Sequence, residues 1–473
     1  MKSIVLAVVS VCAVAANAAD VGRVIVRQQW PWSTKINVDF ELSGVSASAP
    51  ADISLRCYDG AAEIPAATVD AALSGARYAL TEGGTYTLTL DPTVLFPSGT
   101  KTVPDFRVTV AASAASETSL EVLYKIVNLE SPYDVEDVTR GALLNGTYGS
   151  IETDFAALDP SFSTGMSDVL IWTGVTNDVK YKSTHMVLRK IPANGKSFKF
   201  LKGNSKINGG NGVNVSFTND FYIGVFEVTQ AQFAKTLTHP FAATDDVGSN
   251  ETNALYTAYR PVNRVPFGKS GRRSLRGVTN GVLWPEGDHT TLDSGSYFKL
   301  MQSRTGLVFD LPTEAMWEYA CRGMSTKGEI YTGNYSNDAQ GQKIMRAFHI
   351  NCSNGAYTSA GFNNTCGRDV DLTDGPAWVG SYLPNAWGLY DMLGNLWEIC
   401  LDRIGNVGPE DLVDPRGPVV SWNSTPTDRV VRGGAYNTAR NQCLYFTRES
   451  VSMVEYRQVG FRVCLYPDFE VAQ

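Results

Sequence analysis

The chain of 473 residues has little histidine: four residues, at 185, 239, 289 and 349. They are scattered, so the paired-histidine helix of a zinc protease cannot be built from them. A two-histidine, one-carboxylate iron site has no local spacing either. Each histidine reads as a surface or loop residue. Charge is scarce too. Asp, Glu, Lys and Arg make up only 19% of the chain, yet 43% is hydrophobic, which argues against disorder. The balance is acidic, with 48 carboxylates against 40 basic residues and a formal charge of −8. That leaves no chain-wide basic footprint, so no nucleic acid is expected as a partner. The one local basic run, Arg272, Arg273 and Arg276, sits in a Gly/Ser-rich stretch and reads as a solvated loop. What is abundant is turn chemistry: 43 glycines and 21 prolines predict many turns and few long helices.

The first nineteen residues read as an address. Lys2 gives a positive start, Ile4 to Val14 is apolar but too short to span a bilayer, and Ala16-Asn17-Ala18 is a small-x-small cleavage site. No later stretch is long and apolar enough to cross a membrane. The expectation is a bacterial chain exported to the periplasm or beyond the cell, without a membrane span. Export permits disulfides. Seven cysteines follow the leader, at 57, 321, 352, 366, 400, 443 and 464, and an odd number leaves at least one thiol over. Cys57 stands alone in the first half and is the natural leftover.

The length predicts two or three domains. Residues 20–128 alternate with period two. Ile36, Val38, Phe40 and Leu42 interleave with polar residues, and Ile53–Cys57, Tyr86–Leu90 and Phe106–Val110 repeat the pattern. Turn signals such as Asp59-Gly60 separate them, so the stretch reads as an all-β sandwich, immunoglobulin-like at the level of fold. Trp30-Pro31-Trp32 reads as edge-strand packing. Residues 129–184 form a connecting segment in which Val169 to Trp172 reads as a short strand.

From 185 to 468 the texture changes. Met186 to Leu188 and Phe221 to Phe226 are strand-like. Ser296 to Ser303 is a helix candidate with Tyr297, Leu300 and Met301 on one face. A second helix starts after Pro312, with Thr313 as N-cap, Glu314 in the first turn, and Met316, Trp317 and Ala320 facing inward. After Gly323 the chain is loop-rich for over a hundred residues.

Four segments of this region carry one pattern: Phe221–Thr229, Leu311–Gly323, Asn385–Glu398, and Arg432–Tyr436 closing with Gly460-Phe461-Arg462. In this order and spacing they resemble the formylglycine-generating enzyme, or sulfatase-modifying factor, family. The resemblance implies an α+β C-type-lectin-like domain with much irregular loop. It implies a structural calcium at Asp391, Glu398 and the carbonyls of Gly394 and Leu396. It implies a second at Asn351, Asp371 and the carbonyls of Cys352 and Thr373. Hard oxygens in compact turns suit calcium. The same acids read otherwise as turn formers and helix caps.

The family's oxidase holds copper(I) through two thiolates five residues apart, a soft pair for a soft ion. Here the first position is Thr438 and the second Cys443, and the serine after the glycine pair is Ala435. Copper is therefore not expected. Cys443, with Trp397 beside it, is what remains as a catalytic candidate. Related bacterial domains imply a Cys400–Cys443 disulfide, a Cys321–Cys464 bridge is a weaker match, and Cys352 with Cys366 could close the second calcium loop. Three functions stay open: a calcium-stabilised module recognising a protein or glycan, an oxidoreductase with altered metal or substrate, and a structural envelope or matrix component.

Overall fold

The computed structural model describes residues 19–28, 33–97, 103, 105–154, 170–204, 206, 208–236, 258–268, 274–277, 284–285, 287–323, 357–358, 361–362, 376–408, 410–418, 428–436, 438, 442–451 and 458–470. The leader, Trp30 to Trp32, Arg272 and Arg273, His239 and His349, and the residues read as a second calcium site (Asn351, Cys352, Asp371, Thr373) lie outside them, as does Cys366. The chain divides into two compact units, Met1–Leu123 with Val138–Ile151, and Tyr124–Asp137 with Glu152–Gln473.

The first unit is built from the period-two runs. Strand Ile36–Ser43 pairs antiparallel with Asp20–Gln28 on one side and Gly84–Leu90 on the other, and Leu73–Ser74 completes a four-stranded sheet. Strand Ala51–Asp59 pairs with Phe106–Ala114 and Ala62–Glu63 in a second sheet of three. Alternation places Ile36, Val38, Phe40 and Leu42 inward, each 2% exposed or less. They share one core with Ile53, Leu55 and Cys57 of the other sheet. Each such side chain contributes roughly 1.5–3 kcal/mol by leaving water. Short helices Ala66–Ala72 and Pro92–Leu95 add Val69, Ala72 and Leu95 to the same core. Asp91 caps the second helix by accepting from the Thr93 N–H at 2.9 Å.

The second unit holds a six-stranded sheet in the order Leu307–Asp310, Cys464–Glu470, Phe221–Gly224, His185–Ile191, Val122–Asn128, Val135–Thr139. A four-stranded sheet runs Arg448–Val451, Arg429–Arg432, Trp397–Arg403, Val459–Gly460. Strand Val122–Asn128 joins the larger sheet through residues 124–128, paired with 185–189. Leu170 to Trp172 do not form a strand, and Val169 lies outside the described residues. Ile171 makes one isolated bridge to Glu152, and a 3-10 turn, Thr173–Thr176, starts directly after Trp172.

Both helix candidates are present. Helix Tyr297–Thr305 is capped by Ser296, but its inward face is Tyr297, Phe298, Met301, Gln302 and Thr305, with Leu300 only half-buried. Helix Glu314–Arg322 is capped by Thr313, whose hydroxyl accepts from the Met316 N–H. It ends at Gly323 with φ +54°, where a Cβ would lie 3.0 Å from the Asn385 side chain. Its buried side includes Trp317 and Ala320 and also two carboxylates, Glu314 and Glu318. Arg432 meets Glu318 at 2.5 Å, Arg322 meets it at 2.7 Å, and Arg448 pairs with Glu314. The helix is pinned to the small sheet by charge as well as by packing.

A buried carboxylate knot and a closed cysteine turn

The loop 391–396 is a wrapped turn. Asp391, Gly394 and Asn395 have φ of +61°, +92° and +60°. Gly394 N–H donates to the Gly433 carbonyl at 2.9 Å, and Tyr436 N–H to the Asn395 carbonyl at 2.7 Å. The loop is therefore stitched to the segment that follows Arg432. At its centre lies Glu227, fully buried, accepting from Asn395 Nδ2 at 2.5 Å and from the Leu396 N–H at 3.1 Å.

Three carboxylates meet here. Glu398 is 1% exposed, and both its oxygens accept: from Arg462 at 2.7 Å and from Trp317 Nε1 at 2.7 Å. Arg462 also donates to the carbonyls of Gly224 and Tyr390, so one guanidinium ties three of the four sequence motifs together. Asp391 accepts from the Gly380 N–H at 2.6 Å through one oxygen, while its other oxygen is buried without a hydrogen-bond partner. Burial drives the Asp391 carboxyl up to about 6, against the pull of the Gly380 N–H, Arg462 and Lys182. Burial, and then the charges of Glu398 and Asp391, lift Glu227 well above the ordinary carboxylate range. Glu227, Arg462 and Trp317 were not singled out for this role by the sequence. The available signal was that each motif sets charged or polar residues amid apolar ones.

For a cation the residues fit in part. The orphan oxygen of Asp391 and the excess of buried carboxylates invite one. Glu398 is committed to Arg462 and Trp317, so it would have to give up a donor to serve as a ligand. Among the described residues, no three His, Cys, Asp or Glu side chains cluster as a metal-binding group.

The segment after the glycine pair is closed. Thr438 Oγ1 accepts from the Ala435 N–H at 2.9 Å, and Thr438 N–H donates to the Ala435 carbonyl at 2.8 Å. The hydroxyl is thus used to tie a short turn. Cys443 is 0% exposed within the apolar core, and a Cβ on Gly434 would sit 2.5 Å from its Sγ. Trp397 lies half-buried at the start of its strand, its N–H donating to the Gln458 carbonyl.

The disulfide expectation is corrected: Cys57, Cys321, Cys400, Cys443 and Cys464 are buried and none is bridged to another. Burial raises the thiols of Cys321, Cys400 and Cys464 well above their ordinary value and that of Cys57 to about 12. One further expectation fails, that of a solvated Arg276, and His289 proves to be a loop residue that is not at the surface. Arg276 is wholly buried, with Nε 3.2 Å from Asp310, and His289 is 6% exposed, with Nδ1 3.0 Å from the same carboxylate. Asp310 draws both inward, because a buried carboxylate needs paired donors.

Residues 193–466, more than half of the chain, match the family model described as the sulfatase-modifying factor enzyme 1-like domain. The chain belongs to this family. It is 30% identical over 168 residues to the formylglycine-generating enzyme of Thermomonospora curvata, covering 34% of this chain and 46% of that one. It is 35% identical over 137 residues to the enzyme of the same name from Streptomyces coelicolor, covering 28% and 38%. The sulfatase-modifying factor chain thus spans less than half the length of either relative. Among solved structures, variable protein 1 of Treponema denticola aligns at a TM-score of 0.41 and 21% identity, over 60% of this chain and 96% of that one. Four motifs of this family member meet at or beside the knot around Glu227 and Glu398. Among the described residues, no helix is long and apolar enough to cross a membrane.

Proposed function

We propose that the chain is an exported recognition module of the sulfatase-modifying factor family, stabilised by calcium and without the family's copper chemistry. One observation carries the reading: the residue in the first thiolate position is Thr438, a hard hydroxyl already accepting from Ala435. A lone thiolate at Cys443 does not make a two-thiolate copper(I) site. The leader-like start supports export, and the two N-terminal sheets support an immunoglobulin-like sandwich serving as a spacer.

Calcium would be held by Asp391, with the carbonyls of Gly394 and Leu396, and would supply the positive charge that the buried carboxylates lack. Glu398 joins only by releasing Arg462 or Trp317. The partner in this reading is a protein or a glycan.

The test is a metal and thiol count on the purified mature chain, with oxygen uptake on a cysteine peptide. Bound calcium, no copper and no oxygen uptake support the reading. Retained copper with oxygen uptake overturns it in favour of an oxidoreductase.

A further inference from the structure

Apart from the knot, the second unit contains a cavity of about 210 Å³. Its walls are apolar: Phe217, Trp284, Met316 and Tyr466 line it. The floor is rigid, because His289 is stacked on Tyr466 with ring centroids 3.6 Å apart and lies 4.7 Å from the Trp284 ring. Arg276 and Asp310 back that histidine and balance each other. A cavity of roughly 150 Å³ lined by apolar groups admits benzene, so this one has room for a ring-sized body.

The mouth is acidic. Asp220 lines it but is balanced by Lys190 at 3.1 Å. Asp288 accepts from the N–H and hydroxyl groups of Thr290 and Thr291, and Asp414 from the N–H and hydroxyl of Thr218. These donors are neutral, so the hydrogen bonds hold both carboxylates in place without cancelling their charge. Partial burial opposes ionisation of Asp288, but the donors of Thr291 and Thr290 outweigh it and hold the carboxyl at about 2.

The cation at this mouth is the chain's own. Arg416, exposed at the rim, lays its guanidinium 4.1 Å from the Trp284 ring centroid and donates to the Gly287 carbonyl. The site is therefore already arranged to receive a positive charge against an indole, with carboxylates beside it.

The geometry points to a binding site for a small organic cation: an amine or quaternary ammonium on a ring-sized apolar body. The body enters among Phe217, Met316 and Tyr466. The charged head takes the place of the Arg416 guanidinium at Trp284, beside Asp288 and Asp414. The inference goes beyond the recognition reading above and does not depend on which metal the chain binds.

Calorimetric titration of the purified chain tests it, with benzylammonium and benzyltrimethylammonium as cations and benzyl alcohol as the neutral control. The expected result is one site that prefers the cations by about tenfold or more. Arg416→Ala removes the internal competitor and should tighten binding by about threefold, whereas Asp288→Asn and Asp414→Asn should each weaken it by about threefold. Met316→Trp should fill the cavity and abolish binding. If that variant misfolds, the three rim variants, at exposed positions, decide the matter. Equal binding of the alcohol, no binding of either cation, or loss of binding in Arg416→Ala would each overturn the proposal. So would capture of a lysine peptide by a chain that ignores both small cations.

Discussion

The two units solve the same problem with different chemistry. Among the described residues of the first, Ser119 is the only buried polar side chain. Its sheets close over aliphatic residues supplied by simple alternation. The second unit buries Glu227, Glu314, Glu318, Asp391, Glu398 and Asp402 together with Arg432, Arg448 and Arg462. An apolar core tolerates many substitutions of similar volume. A core built on ion pairs tolerates few, because each charge left alone is costly to bury. Between its sheets the second unit runs through irregular loops, and its paired charges help to fix which segment meets which.

The comparison can be broken most severely at Arg462. Arg462→Ala leaves Glu398 buried without its cation and should destabilise the second unit by about 3–5 kcal/mol. Calorimetry should show one transition falling while that of the first unit stays in place. A single shared shift of both would contradict the contrast. In the first unit, Leu88→Ala removes a side chain 0% exposed. It should cost about 3 kcal/mol and move only the other transition.

Asp402 sharpens the contrast through pH. Burial, then the charge of Glu314, raises its carboxyl to about 7. A folded-state pKa above the unfolded value near 3.8 means that the fold binds this proton more tightly than the unfolded chain does. The contribution is fully present at low pH, is lost as pH rises from about 4 to 7, and stays lost above that. Between pH 5 and 8 the loss should be about 3 kcal/mol, and Asp402→Asn should flatten that part of the stability profile. A profile unchanged by the substitution would place the titration elsewhere. The smallest effect is at the helix cap: Thr313→Ala should cost about 1 kcal/mol, read as a small drop in the second transition alone.

The contrast also explains what could be read from the sequence. The runs at 36–42, 53–57, 86–90 and 106–110 emerge as strands because each alternates a dry face with a wetter one. The Thr313 cap and its helix were legible for the same local reason. The Arg462–Glu398 pair spans 64 residues, and the Asn395–Glu227 bond spans 168, so no window along the chain contains either. Arg276 and His289 misled because their neighbours are Gly, Ser and Asp. Their burial is decided by Asp310, 21 residues beyond His289. The four motifs marked where the knot would be, but not which side chain would hold which.

The contact between Cys443 and Gly434 turns that thiol into a clock. With its sulfur pressed against a backbone that leaves no room for even a methyl group, no alkylating reagent can reach it in the closed state. Its labelling rate therefore counts how often the contact between Gly434 and Cys443 opens. Measured without any partner bound, that rate reports local opening at the glycine pair.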